Sequence, residues 1–511
     1  MNFMFLGPKT VTQSYQIHAY ISFTRYVLMT SNSSGKVQKL TEQGQQNRKM
    51  AKDKGKKKSH QGRPSPEEII RIRKEREARR EIRAKLIAEG RDPDDPQHRP
   101  YFKKRELLEV PHSAAIEHIE GGIPLKIMTY NLLAQTLIRR SMFPDNGRIL
   151  KWTVRSKPLY QEVKYYDCDI ICMQEMDYSN YQKFWTARMK ELGYEGHFNR
   201  NQNKSHGVAI FFRKSMFAMI DHMHIQYDSI ETAGIEPRTT TQNVGIVLAL
   251  SLRGHQNNIV LIGTTHLFWH PFGTYERTRQ TAILLMKAKE FERRVKVLHP
   301  EKSKVWSFFA GDFNSQPFDS PYLSITSKPV HYDDRCKTVI GCSTSFEFSN
   351  KRDGGGGEEE EGGNVEVYGE NQPKTPVPDR FDPTVEQQKM VAEMEKLHNA
   401  LPYRAISLYS VAYGLVDPKN SGLDNSRNEP FFSNWAHTWR GLLDYIFVIR
   451  DWDGKEDNRA IDSLEKFETE NHIRLNSLLR MPHPEEMDKG LPREYLYPSD
   501  HLCMVAQVSL L

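Results

Sequence analysis

The sequence is poor in cysteine, with five in 511 residues, and no two of them form a CxxC pair. The usual structural zinc frameworks are thereby excluded, and an odd count makes no complete disulfide set. Cys168 and Cys172 lie in or beside an apolar run and read as small core residues. This usage fits a reduced, intracellular chain of the cytoplasm or nucleus. No run of about 18 apolar residues occurs, so no transmembrane helix is expected. There is no internal repeat either. Met1 to Thr30 lacks acids and has only Lys9 and Arg25 as strong bases. A mitochondrial presequence shares the lack of acids but carries more arginine, so targeting to that organelle is the weaker expectation.

What is present is unevenly spread. The mean hydropathy of −0.67 is low because the first part and one internal segment are very polar, while most apolar runs follow Ile123. The net charge of +7 is a mild excess that suits a polyanionic partner such as nucleic acid. Residues 1–64 read as a disordered basic segment containing the run Lys52, Lys54, Lys56, Lys57, Lys58. Ser65, Pro66 and Glu68 form an N-terminal helix signal and Gly90 a stop, which predicts a charged helix over 65–90. Residues 91–122 read as linker, ending in Gly121-Gly122.

From residue 123 to 511 the pattern is that of one globular domain. Strands are predicted at Leu125–Tyr130, Asp169–Met173, Gly207–Phe212, Val244–Leu250, Ile259–Thr265, Val305–Ala310, Leu442–Ile449 and Cys503–Val508. Helical patterns fall at Arg277–Arg294 and Val385–His398. Residues 351–380, with four glycines followed by four glutamates, interrupt the domain as a flexible insertion. Strands and helices in this mixture predict an α/β fold of two sheets packed face to face with helices outside.

Polar residues gather where these strands end. Asn131, Glu175, His266, Asp312 with Asn314, Asp444, and Asp500 with His501 each follow, occupy or precede a buried run. Convergence of strand ends at one sheet edge is a usual place for an active site. The set has oxygen and imidazole donors and no thiolate, which selects Mg²⁺, with Mn²⁺ as the substitute. Hydrolysis of a phosphodiester fits. Glu175 can hold the cation, with Asn131 as a neutral ligand or an orienter of ligands. Asp312 can activate water and Asn314 can fix it. His266 and His501 can donate to the developing phosphoryl charge. Asp444 would hold the His501 ring, and Asp500 could support a second ion or the same histidine. Each element alone has a plainer reading as a loop, turn or cap; their order together is the signal. His266 and His270 have zinc spacing for a helix, but Pro271 and the apolar run before them place them at a strand end.

The ordered pieces Tyr130-Asn131-Leu132-Leu133, Gln174-Glu175, His266, Gly311-Asp312-Phe313-Asn314-Ser315, Leu443-Asp444-Tyr445-Ile446-Phe447 and Ser499-Asp500-His501 resemble the endonuclease/exonuclease/phosphatase superfamily. The resemblance implies a four-layer α/β/β/α sandwich, DNase I-like, with Mg²⁺ at the sheet edge. Met128–Ala134 and His266–Pro271 narrow it to the deadenylase and nocturnin-like branch, and there to the fungal Ngl-type RNA exonucleases. In that branch a proline and an aromatic sandwich a 3′-terminal base, which assigns substrate binding to Pro271 and Trp439. Stacking on an indole is sequence-tolerant. The plainer reading of Trp439 is a core aromatic. Two departures stand out: a basic helix replaces the leucine-rich repeats that dock the large deadenylase to its partner, so that docking is not expected, and His206 stands where the branch commonly has an acid. The expected function is a 3′-to-5′ RNA exonuclease acting on single-stranded 3′ ends, in rRNA trimming or poly(A) shortening. The alternatives are a phosphodiesterase or phosphatase acting on DNA or a small phosphorylated molecule, and a non-catalytic RNA-binding scaffold.

Overall fold

A computed structural model of the chain describes residues 101–511, except 112, 115, 117–120, 140–142, 145, 256, 303, 349–366, 369–372 and 488–489, together with scattered positions from 70 to 89. The acid-free start, the lysine tract, Ser65 and most of the 351–380 insertion lie outside the described residues. The helical positions between Ile70 and Ala88 belong to a unit of their own. No helix among the described residues is long and apolar enough to cross a membrane.

Two large sheets build the domain. The first runs, in spatial order, Leu107–Glu109, Ile473–Leu479, Met504–Leu510, Ile123–Asn131, Ile170–Asp177, His206–Arg213 and Tyr194–Asn199. The second runs Tyr403–Ser407, Asp444–Asp451, Lys304–Asp312, Asn258–Thr265, Val244–Leu252 and Phe217–Gln226. Each sheet contains one parallel pair. Ile123–Asn131 pairs with Ile170–Asp177, and Asn258–Thr265 with Lys304–Asp312. A parallel pair needs a crossover, and here each crossover carries a helix, Trp152–Tyr166 in the first and Thr274–Leu298 in the second. The carboxyl ends of both pairs open toward the same edge, which is where the polar residues of the sequence fall.

The strands alternate as their sequences dictate. Leu125, Ile127, Ile170, Cys172, Ile210 and Phe212 of the first sheet meet Ile246, Leu248, Ile262, Phe308 and Ala310 of the second in one buried cluster. Tyr130 points the other way, and its Oη donates to Glu162 Oε2 of the outer helix at 2.7 Å. Ile283, Leu284, Phe291 and Val295 of the long helix belong to the same cluster, from the outside of the second sheet. The result is the four-layer α/β/β/α arrangement. Gly311 is required inside it: a Cβ there would lie 2.4 Å from the carbonyl oxygen of Thr265. The helix predicted at 385–398 spans Val385–Ala400 and opens with a reciprocal capping box of Thr384 and Gln387. All five cysteines are buried and none forms a disulfide.

The structure departs from the sequence reading at the start of the domain. Residues 91–122 are not all linker. Leu107–Glu109 pairs with Ile473–Leu479 as an edge strand of the first sheet, and Phe102, Arg105 and Val110 are buried. Three residues are too few to show a periodicity. The strands Tyr194–Asn199, Phe217–Gln226, Tyr403–Ser407 and Ile473–Leu479 also went unpredicted. In Phe217–Gln226 a bulge between Met219 and Asp221 breaks the alternation.

Candidate active site

The floor of the site joins the two sheets. Asn131 ends its strand with a fully buried side chain. Its Nδ2 donates to Glu175 Oε1 at 3.0 Å and to Asp312 Oδ2 at 2.9 Å, across the gap between sheets. Its Oδ1 accepts from the Leu133 amide at 2.9 Å. An amide committed to three partners orients the carboxylates. Of the two roles expected for Asn131, orienter rather than metal ligand is the one this geometry fits. Glu175 has a left-handed backbone, φ 50°, inside a bulge between Met173 and Met176. The bulge re-aims its side chain, a usual use of such an irregularity beside a site. Glu175 Oε2 accepts from the Ala134 amide at 2.8 Å. Beneath the floor, Gln174 Nε2 donates to Thr264 Oγ1 at 2.9 Å and so ties the sheets again.

A chain of hydrogen bonds sets His501. The amides of Leu443 and Asp444 donate to Ser433 Oγ at 3.0 and 3.1 Å. With both of those bonds accepted, Ser433 spends its hydroxyl proton on Asp444 Oδ2 at 2.6 Å. The same oxygen accepts from His501 Nδ1 at 2.7 Å, and His501 Nε2 lies 3.6 Å from Asp312 Oδ2. Burial opposes the charged ring, but the Asp444 and Asp312 carboxylates and the Asp444 hydrogen bond outweigh it and raise the His501 pKa well above its ordinary value. The surroundings of His501 therefore favour the imidazolium, whose Nε2–H would face the site. Asp444 is 1% exposed and does not line the cleft, so it acts through His501.

His266 lies across from it, with Nε2 3.7 Å from Asp312 Oδ2 and 4.0 Å from Glu175 Oε1. Burial, with the charges of His206, Lys204 and His501, holds its pKa well below the usual range. The two histidines thus differ: their surroundings favour the charged form of His501 and the neutral form of His266. Asn314, at φ 47°, donates from its amide nitrogen to Asp312 Oδ1 and from Nδ2 to the Leu267 carbonyl, both at 2.9 Å. His270 does not join the site. It packs among Phe268, Phe346 and Phe348, and its Nδ1 accepts from the Phe272 amide.

Above the floor opens a cleft. Glu175, His266, Asp312, Asn314, Asp500 and His501 form its polar end, and Pro271, Trp439, Trp269, Leu137 and Phe143 its apolar walls. Trp439 stands on the short hairpin Asn434–Ala436/Trp439–Gly441, which also pins the histidine segment. The Trp435 amide donates to the Asp500 carbonyl at 2.9 Å and the Leu502 amide to the Ser433 carbonyl at 2.7 Å.

Sequence reasoning missed Arg155, Ser433 and Gln174. The fully buried Arg155 guanidinium donates to the carbonyls of Leu132, Leu133 and Pro498, and so fixes the loops after Asn131 and before Asp500. Nothing in its helix sequence distinguishes it from a surface arginine. Ser433 carries no motif. Gln174 was visible only as the neighbour of Glu175.

The donor set fits a hard divalent cation. Glu175, Asp312, Asp444 and Asp500 gather against His501 and Arg155, an excess of buried negative charge. Burial and the neighbouring Asp444 raise the Asp312 pKa, and burial with Glu175 raises that of Asp500 against the pull of His501 and Arg155. A cation beside Glu175 relieves that excess. Asp312, Asp444 and His501 also lie close enough to share an ion. The Asp444 oxygen facing His501, however, already accepts from the ring and from Ser433, which makes that trio a hydrogen-bonded relay.

A buried carboxylate floor, a charged histidine and a cleft at the carboxyl ends of two parallel pairs define a hydrolase of phosphate esters. Residues 128–501 match the Endonuclease/Exonuclease/phosphatase family, and the chain belongs to it. It is 50% identical over 477 residues to RNA exonuclease NGL2 of Saccharomyces cerevisiae, covering 89% of this chain and 92% of that protein. It is 37% identical over 471 residues to probable RNA exonuclease NGL3 of the same yeast, covering 89% and 91%. Among solved structures, that of ANGEL2, a 2′,3′-cyclic phosphatase, shares the fold with a TM-score of 0.50 at 19% identity, covering 80% of this chain and 99% of that one. The chain is accordingly an enzyme of this hydrolase family, akin to the Ngl-type exonucleases.

Proposed function

We propose that the protein is a Mg²⁺-dependent 3′-to-5′ exonuclease that removes nucleoside 5′-monophosphates from single-stranded RNA ends. One observation carries this reading: the charged His501, oriented by Asp444, and the Asn131–Glu175–Asp312 floor lie in one cleft with Pro271 and Trp439. The names of the yeast relatives, RNA exonucleases, point to the same substrate.

In this reading the terminal base lies between Pro271 and Trp439, which brings the last phosphodiester to the polar end. Asp312, flanked by the two histidines and braced by Asn131 and the Asn314 amide, orients the attacking water and takes its proton. His501 donates through Nε2 to a phosphoryl oxygen as negative charge builds there, and His266 stands as a neutral donor on the other side. The water oxygen joins phosphorus, the bond to the 3′ oxygen of the preceding nucleotide breaks, and that oxygen leaves and takes a proton from solvent water. Glu175 would hold Mg²⁺, or Mn²⁺ in its place, and the bound ion would supply charge neutralisation for the phosphoryl and leaving oxygens. Ribosomal RNA trimming and poly(A) shortening both require this chemistry.

The test is a time course on 5′-labelled single-stranded RNA ending in adenosines, with Mg²⁺ or EDTA, using wild type and His501→Ala. A Mg²⁺-dependent ladder growing from the 3′ end, absent in the variant, is expected. Intact RNA beside hydrolysed DNA of the same sequence, or beside a hydrolysed small phosphate ester, would overturn the substrate assignment.

A further inference from the structure

A second group of ligating side chains lies apart from the cleft. His197 sits on Tyr194–Asn199, the edge strand of the first sheet, and His222 and His224 on Phe217–Gln226, the edge strand of the second. His197 is half-buried, and the other two are exposed. Two residues apart, His222 and His224 share a strand face, and the bulge before Asp221 sets which face they take. Their rings converge on His197. The ring centroids of His197 and His222 are 4.4 Å apart, those of His197 and His224 5.2 Å, and those of His222 and His224 5.3 Å. The Nε2 atoms of His197 and His224 approach to 3.0 Å, and one ligand atom from each ring falls within 4.8 Å of the others. None of the three lines the active cleft.

We propose that His197, His222 and His224 form a zinc site that staples the exposed edges of the two sheets. Two imidazole nitrogens bound at about 2.05 Å to one tetrahedral ion stand about 3.3 Å apart, close to the separation of the His197–His224 pair. Three nitrogen donors with no carboxylate among them suit Zn²⁺ and its transition-metal neighbours and disfavour Mg²⁺, which the oxygen-rich cleft selects. Burial and the neighbouring His222 and His224 push His197 down to about 4, and burial with His222 lowers His224. Neutral imidazole binds metal without first losing a proton. Three protein ligands leave a fourth position for water. Arg294, on the helix Thr274–Leu298, is engaged by Asp221 and by the His222 carbonyl. The plainer account of the 3.0 Å contact is a hydrogen bond between two neutral rings, which needs no ion.

The experiment uses untagged full-length protein stripped of metal and held in excess Mg²⁺, titrated with Co²⁺ and then Zn²⁺. Wild type is expected to take up one Co²⁺ with the visible bands of four-coordinate nitrogen ligation, and one Zn²⁺ should displace it. At about a hundredfold excess over its dissociation constant, Zn²⁺ should raise Tm by about 3–5 °C. His224→Asn, and separately His222→Asn, should lose the bands and the shift. Both positions are exposed, so these variants should fold. Asp312→Asn should keep both signals, which separates this site from the cleft. If wild type and the histidine variants bind equal amounts of Co²⁺ and Zn²⁺, or if Asp312→Asn abolishes the signal, the proposal is wrong.

Discussion

Asp444→Asn isolates the electrostatics of His501 from its position. Ser433 has accepted two amide hydrogens and has one proton to give, so it forces the carbonyl oxygen of the new amide to face it. That oxygen can still accept from His501 Nδ1, and the ring tautomer survives. The new NH₂ must occupy the place of Asp444 Oδ1, which is buried without a hydrogen-bond partner. An unsatisfied donor there costs about 1–3 kcal/mol of stability. The larger effect is the lost charge. Unit charges about 4 Å apart at an effective dielectric of about 20 interact by about 4 kcal/mol. That corresponds to about 3 pH units of imidazolium stabilisation. His501 should then lose its proton at lower pH, and the loss of kcat/KM should be about 10²- to 10³-fold at pH 8 and smaller at pH 6. The assay is single-turnover cleavage of labelled RNA across that range, with folding checked by thermal melting. A deficit under threefold, or one that deepens toward acid pH, would refute the assignment of His501 as a charged donor.

Trp439→Ala should raise KM for single-stranded RNA about 5- to 100-fold, from base stacking of about 1–3 kcal/mol, and leave kcat within threefold; steady-state kinetics decide it, and an unchanged KM removes Trp439 from the substrate site. Arg155→Lys keeps the charge but loses the planar fork to three carbonyls, and should cost about 2–4 kcal/mol in urea unfolding together with activity. Burial pushes Glu429 up to about 7, against the pull of Ser407, Tyr322 and Arg427. From about pH 4.5 to 7 the folded state keeps a proton that the unfolded state has lost, so this group's contribution to stability declines as pH rises through that window. Glu429→Gln should reduce the fall in unfolding free energy between pH 4.5 and 8 by about 3 kcal/mol. An equally steep fall in the variant would place the titration elsewhere.

Much of the site was legible because the chemistry sits at strand ends, where a polar residue interrupts an apolar run. Glu175, His266, Asp312 and His501 all announce themselves in that way. Their unequal roles were legible only in part: Asp444 was read as the partner of the His501 ring, whereas the contrasting surroundings of His266 were not foreseen. That His501 is charged and His266 neutral depends on which carboxylates face each ring, and the chain brings Asp444 to His501 across 57 residues. Arg155 was hidden for a related reason. Its three carbonyl partners come from loops joined to its helix only in the folded chain. The long runs near Ile259 and Val305 read as strands because both faces are buried. Tyr194–Asn199 and Phe217–Gln226, at the sheet edges, mix histidine and other polar residues with apolar ones, and the pattern blurs. The edge strand Leu107–Glu109 is recruited by pairing with Ile473–Leu479, a tertiary effect that its own three residues do not encode.

The link from Asn131 to both Glu175 and Asp312 has a mechanical consequence. One amide spans two separately built slabs, and any shear between those slabs pulls it from one carboxylate or the other. Catalytic competence is thus a gauge of slab alignment, and it should fail on heating before either slab melts. An anion seated across the same junction would act as mortar, slowing amide exchange on both sides of it at once.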